Sequence, residues 1–151
     1  MRDQSFIAVH RGGSLTKEHH YQLMNLACSY AEHLFPFIRN QIDDCLFDAI
    51  AIAKLWTQEV ATVGDARKAS VSAHAFARDS TNPVEKAVSR AVGHAVATAH
   101  MADHSLSVAY YALKAVKSAG LSVELERNWQ DEQIPTEIRA FYLTAREIRK
   151  I

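Results

Sequence analysis

The sequence predicts an all-α protein that folds as a single-domain antiparallel bundle of about six helices. Alanine contributes 24 of the 151 residues, and 19 of these alanines fall between Ala49 and Ala119. Alanine has the highest helix propensity, and only five glycines and three prolines are present to interrupt a helix. Apolar residues make up 48% of the chain, which is enough for one hydrophobic core in a domain of this size.

Residues 1–15 are predicted to form an N-terminal arm, and residues 16–151 the helical domain. The arm has no sustained hydrophobic periodicity and contains the adjacent glycines Gly12 and Gly13. We expect it to lie on the surface, since nothing in its sequence requires Phe6, Ile7 or Val9 to dock.

Capping residues and apolar periodicity place the helices along the rest of the chain. Thr16 opens the first helix, which ends near Pro36. A loose capping box of Thr62 and Asp65 starts the third, and Asn82 caps the fourth before a proline at its first position. The predicted helices cover residues 16–36, 43–61, 65–80, 83–100, 103–120 and 136–150, and residues 121–134 are compatible with a further short, irregular helix.

The charge balance argues against nucleic acid or a membrane surface as a partner. The chain has 17 Lys and Arg residues and 17 Asp and Glu residues, so it carries no net charge that attracts an anionic polymer. No segment reaches the roughly 18 apolar residues of a membrane span, and the N-terminus lacks the apolar core of a signal peptide. We therefore expect a cytoplasmic protein.

The sequence lacks the motifs of common catalytic and cofactor sites, so we expect neither an enzyme nor a bound cofactor. It contains no glycine-rich dinucleotide or phosphate loop and no GxSxG nucleophile motif. Cys28 and Cys45 do not form a CxxC pair. They fit two small core residues in a reducing compartment better than a disulfide or a thiolate zinc site.

Two alanine faces predict a close contact between the third and fourth helices. Alanine side chains allow helix axes to approach to the low end of the usual range of about 8–10 Å. Four alanines recur at helical spacing on each helix, so the predicted contact joins Ala66, Ala69, Ala73 and Ala77 to Ala87, Ala91, Ala95 and Ala99.

A polar row lies beside each alanine face, and the two rows would meet along one edge of this contact. Between residues 66 and 102, five basic residues are accompanied only by Asp79 and Glu85. The resulting groove would attract an anion, whether a ligand, a carboxylate of the same chain or an acidic side chain of a partner. The alternative is structural, with histidines bonded inside the core and arginines solvated at the surface. The predicted partner- or anion-binding residues are Arg67, His74, Arg78, Arg90, His94, Thr98, His100 and His104.

His100 and His104 form the densest group of possible metal ligands. On an unbroken helix their side chains would share a face and could bind zinc. Asp103 has the character of a helix cap, however, and a bend there would separate the two rings. The pattern also lacks the glutamate of HExxH, so we expect no metal. The alternative function is a small metal- or anion-binding helical protein, a hydrolase or ligand sensor, that uses the neighbourhood of His74, His94, His100 and His104.

Four stretches of the chain are similar to one known family. The runs GDARKASVSAHAFAR at 64–78 and SRAVGHAVATAHMADHSLSVAYYALKAV at 89–116 resemble the helical immunity proteins of bacterial polymorphic toxin systems, the immunity-five-like group. TKEHHYQLMNLACSYAEHLFPF at 16–37 and NWQDEQIP at 128–135 are also similar. The stretch AVGHAVATAH is the most specific part of the resemblance.

The resemblance implies a toxin antagonist that is made beside a secreted toxin and binds this cognate toxin stoichiometrically. It implies no catalytic residue. The balanced charge departs from the acidic charge that immunity proteins often carry. The positions that match the family are Gly64, Asp65, Arg67, His74, Arg78, Arg90, Gly93, His94, Thr98, His100, His104, Tyr110 and Tyr111.

Overall fold

A computed structural model describes residues 2–151, which fold into seven α-helices. Within this range the only β-type pairing is an isolated bridge between Ala8 and Leu15. The predicted all-α fold is confirmed. The helices are α1 (Lys17–Glu32), α2 (Asp44–Thr57), α3 (Val63–Asp79), α4 (Pro83–Ala97), α5 (His104–Ser118), α6 (Val123–Gln133) and α7 (Thr136–Arg149).

The caps predicted for α3 and α4 are present. The Thr62 hydroxyl accepts a hydrogen bond from the Asp65 amide at 3.0 Å, and the Asp65 carboxylate accepts one from the Thr62 amide at 2.9 Å. The Asn82 side chain accepts hydrogen bonds from the amides of Val84 and Glu85. These bonds satisfy amides that have no partner within the helix, and they fix where both helices begin.

Several helix ends differ from their predictions; the fourth helix, for example, ends at Ala97 rather than near His100. The first helix ends at Glu32, short of Pro36. The second ends at Thr57, because Glu59 adopts a left-handed backbone conformation, with φ of 62°, that a right-handed helix cannot contain. Before the last helix, α6 is a regular helix capped by the Ser122 hydroxyl, so the described residues contain seven helices rather than six.

Helix α4 is the centre of the fold and packs against α1, α2, α3 and α5. The predicted contact between α3 and α4 is present. Seven of the eight alanines of the two faces are buried, and Ala69 is partly buried against the core. The Ser70 hydroxyl also donates a hydrogen bond to the Gly93 carbonyl at 2.9 Å, which ties α3 to the backbone of α4. Within residues 2–151, no helix combines the length and apolarity needed to cross a membrane.

The N-terminal arm contributes to the core, contrary to the expectation of a surface segment. Phe6 is 3% exposed and packs edge-on against Phe141 of α7, with ring centroids 5.3 Å apart. Leu15 is also buried, and its amide donates a hydrogen bond to the Ile7 carbonyl. Val9, in contrast, is 58% exposed. The arm is therefore held by Phe6 and Leu15, and it lies across one end of the helices.

Candidate functional site: a histidine row beside an arginine

Four histidines from the middle of the chain lie side by side and form a row. His74 is on α3, His94 on α4, His104 at the start of α5 and His100 in the connection before it. The ring centroids are 4.8 Å apart for His74 and His94, 5.0 Å for His94 and His104, and 5.3 Å for His100 and His104. This histidine row lies where the sequence predicts that the polar rows of the third and fourth helices meet.

The absence of a side chain at Gly93 leaves room for His74. A β-carbon built at Gly93 would lie 2.7 Å from Cε1 and Nε2 of the His74 ring, which is closer than such contacts allow. The ring therefore rests directly on the backbone of α4. Any larger residue at this position would displace the ring from the row.

The Arg90 guanidinium fixes the orientation and tautomer of His74. Nη1 of Arg90 lies 3.0 Å from Nδ1 of His74. Because a guanidinium only donates hydrogen bonds, His74 accepts at Nδ1 and carries its proton at Nε2. Arg90 is half-buried, and no carboxylate among residues 2–151 lies within ion-pair distance of it.

His94 and His104 are bonded to each other through their Nδ1 atoms, which are 2.9 Å apart. One ring must donate and the other accept, so neutral His94 and His104 occupy opposite tautomers. Protonation of the accepting ring would place two N–H groups face to face. This bond therefore requires one proton, and only one, between the two Nδ1 atoms.

Burial holds the first two rings of the row in the neutral form at neutral pH. It lowers the pKa of His74 to about 4, with a further contribution from the adjacent Arg90 charge. It lowers the pKa of His94 to about 3, and the neighbouring His74 and His104 add to the effect. At pH 7 these rings offer N–H donors and lone pairs, while Arg90 supplies a positive charge.

The other two rings lie near a network of ion pairs. Burial lowers the pKa of both His100 and His104, and the nearby Asp103 carboxylate opposes the shift in each. Asp103 pairs with Arg2 at 3.5 Å and with Arg149 at 3.1 Å. Asp103 is therefore occupied at the edge of the row and is not a partner of Arg90.

Aromatic and cationic side chains of α5 extend the row outward. Tyr111 stacks on His94, with ring centroids 5.3 Å apart and planes 13° apart. Tyr110 packs edge-on against Tyr111 and is 49% exposed, and the Lys114 ammonium lies 5.8 Å from the centre of the Tyr111 ring. We call Arg90, Tyr110, Tyr111, Lys114 and the histidine row the binding face.

Three of the predicted site residues lie apart from this face or beneath it. Thr98 is fully buried beneath the face, and its hydroxyl donates a hydrogen bond to the His94 carbonyl. Arg78 is exposed near the end of α3, 3.8 Å from Asp79. Arg67 is exposed on α3 and reaches the row only through its charge, which helps to lower the pKa of His100.

The geometry of the four histidines also bears on the metal-binding alternative. α4 ends at Ala97 and α5 begins at His104, so the helix break predicted at Asp103 is present. The expectation that it would separate the two rings is wrong, because the ring centroids of His100 and His104 are 5.3 Å apart. Among residues 2–151, no group of three or more His, Cys, Asp or Glu side chains is arranged to hold a metal ion.

Sequence reasoning did not identify His20 as a candidate functional residue. Its Nε2 donates a hydrogen bond to the Thr98 carbonyl at 2.6 Å, and its ring packs against Trp56 with centroids 4.8 Å apart. Burial lowers the pKa of His20. The residue lines a cavity of about 570 Å³ beneath the arm. No local pattern reveals this, because the cavity exists only once the arm has folded back.

Comparison with known protein families identifies a family to which the chain is similar. A family model described as "Imm-5 like putative immunity protein" matches residues 13–137. This span includes every residue of the binding face and excludes most of the arm. No curated protein and no solved structure matches the chain.

Proposed function

Because the chain belongs to the Imm-5 like putative immunity protein family, we propose that it binds a cognate bacterial toxin and neutralises it stoichiometrically. In this proposal the protein acts in the cytoplasm of the cell that makes both partners, as one half of a polymorphic toxin system. It acts by occupying the toxin rather than by catalysing a reaction. The contact surface is the binding face.

One observation carries the choice of this surface: Arg90 is half-buried without a carboxylate partner among the described residues. His74 already fixes the orientation of the guanidinium, so little further ordering is needed when a partner binds. A guanidinium forms its strongest contacts with carboxylates, often through two parallel hydrogen bonds. The toxin surface that this face accepts is therefore acidic.

The residues around Arg90 have the composition of an interface centre. Tyrosine and arginine are enriched among the residues that dominate binding energies. Tyr110 offers an exposed ring that Tyr111 supports from behind, and Tyr111 rests on His94. A ring held in this way loses little side-chain entropy on binding. The neutral imidazoles add hydrogen-bonding groups without adding a charge to desolvate.

Co-expression with the product of the toxin-like reading frame beside its gene tests the proposal. We expect an equimolar complex on size-exclusion chromatography, and restored growth only when the chain is present in at least equal amount. Failure to retain the co-encoded protein, together with unrelieved toxicity, would contradict the proposal. Full protection by catalytic amounts of the chain would contradict stoichiometric binding.

A further inference from the structure

A second candidate site lies at the end of the bundle that the arm covers. The cavity of about 570 Å³ lies between the arm, the start of α1, the end of α2 and the connection between α4 and α5. Its volume is within the range of about 300–1,000 Å³ that is typical of small-molecule sites. We call it the arm cavity; the lining residues used below are Phe6, Arg11, Leu15, His20, Trp56 and His100.

Apolar and aromatic groups form the walls of the arm cavity. Phe6 and Leu15 line it from the arm, and Trp56 lines it from α2. The Trp56 ring meets both His20 and Tyr21 edge-on, at centroid distances of 4.8 and 5.1 Å. These walls suit the hydrocarbon or aromatic body of a ligand.

The charged groups of the arm cavity all have one sign. None of its 18 lining residues is Asp or Glu, whereas Arg2, Arg11 and Lys17 are cationic. Arg2 and Lys17 each pair with a carboxylate from outside the lining, but Arg11 forms no ion pair within residues 2–151. Arg11 therefore has an unmatched charge at the mouth of an apolar cavity.

One of the residues that line the arm cavity, His100, also carries a buried polar atom without a partner. Nδ1 of His100 is shielded from solvent and makes no hydrogen bond among the described residues. Buried polar atoms in folded proteins are almost always bonded, so an unpaired one calls for a ligand, a water molecule or an ion. The Arg11 charge contributes to the lowered pKa of both His20 and His100.

We propose that the arm cavity binds an organic monoanion, a carboxylate carried on an apolar acyl or aryl group. The apolar body lies against Phe6 and Trp56, and the carboxylate meets Arg11 at the mouth of the cavity. This inference goes beyond toxin binding, because the binding face and the arm cavity have only His100 in common.

Isothermal titration calorimetry on the intact chain at pH 7 tests the proposal with two acids and their neutral amides. Octanoate and octanamide represent acyl ligands, and phenylacetate and phenylacetamide represent aryl ligands. We expect at least one acid to bind at a ratio of one to one, at least tenfold more tightly than its amide. No binding by either acid, or equal binding of acid and amide, would overturn the proposal.

A pair of exposed arginines provides a matched control for the charge. Arg11→Gln is expected to weaken binding of the acid at least fivefold and to leave binding of the amide unchanged. Arg39→Gln removes the same charge from the connection between α1 and α2, which does not line the cavity, and should change neither. Equal effects of the two substitutions on the acid would exclude Arg11 as the partner of the anion.

Discussion

The binding face and the arm cavity both set histidines beside arginines, yet they are built in opposite ways. The face is made by three helices that follow one another in the chain, and its polar groups bond to each other: Arg90 to His74, and His94 to His104. The arm cavity joins segments about 90 residues apart and leaves Arg11 and a His100 nitrogen without partners. The difference suggests a surface organised before its partner arrives and a cavity whose polar groups need a ligand.

The largest effect is expected where the arm meets the core. Phe6→Ala should lower the free energy of unfolding by about 3 kcal/mol, because it empties a buried aromatic site between the arm and α7. Val9→Ala, on an exposed side chain of the same arm, should change it by less than about 0.5 kcal/mol. Urea denaturation measures both. Equal, small effects would mean that the arm does not contribute to the core.

Because His74 rests on Gly93, we predict that Gly93→Ala changes stability in opposite directions in the presence and in the absence of the His74 ring. In the native chain, Gly93→Ala should cost about 1 kcal/mol, because the new methyl group displaces the ring and outweighs the gain in helix propensity. In a His74→Ala background the clash is absent, so Gly93→Ala should stabilise the fold by up to about 1 kcal/mol through its higher helix propensity. A double-mutant cycle measured by urea denaturation tests this. Additive effects would show that the ring does not rest on Gly93.

The lowered pKa values of the histidine row predict a loss of stability in acid. Unfolded histidines titrate near pH 6.5, whereas the pKa is about 4 for His74 and about 3 for His94 in the fold. As pH falls below about 6.5, the unfolded chain takes up protons that the folded chain does not, so the free energy of unfolding decreases. The stability that these rings contribute is complete above this range and falls until about pH 3.

Between pH 7 and pH 5, these two rings together should lower the free energy of unfolding by about 2 kcal/mol, after allowance for solvent screening. Urea denaturation at both pH values measures the loss. The variant His74→Gln should reduce it by about 1 kcal/mol, whereas His19→Gln, outside the row, should leave it unchanged. A native chain whose stability does not differ between pH 7 and pH 5 would contradict the burial of neutral imidazoles.

The smallest effect is expected for the ion pair between the arm and Asp103. Arg2→Gln should cost less than about 0.5 kcal/mol, because the Arg2 side chain is 42% exposed and Arg149 still pairs with Asp103. Thermal denaturation compares it with Phe6→Ala. A loss as large as that of Phe6→Ala would mean that charge, rather than apolar packing, holds the arm.

The contrast between contacts of consecutive helices and contacts of distant segments explains which features the sequence could predict. His74 and His94 lie beside regularly spaced alanines on consecutive helices, so helical periodicity alone predicts that their rings meet. The bond between His20 and Thr98 spans 78 positions, and Phe6 packs against a residue near the other end of the chain. No local pattern encodes these distant contacts. The buried position of Thr98 was missed because periodicity cannot tell which side of a polar row turns inward.

The affinity of the cognate toxin for two single-residue variants tests the central claim most directly. Tyr110 and Phe47 are exposed aromatic residues, at 49% and 48%, but only Tyr110 belongs to the binding face; Phe47 is on α2. Tyr110→Ala should weaken toxin binding at least tenfold, about 1.4 kcal/mol, and Phe47→Ala less than twofold. Equal affinities of the two variants, or a larger loss for Phe47→Ala, would show that the toxin binds elsewhere.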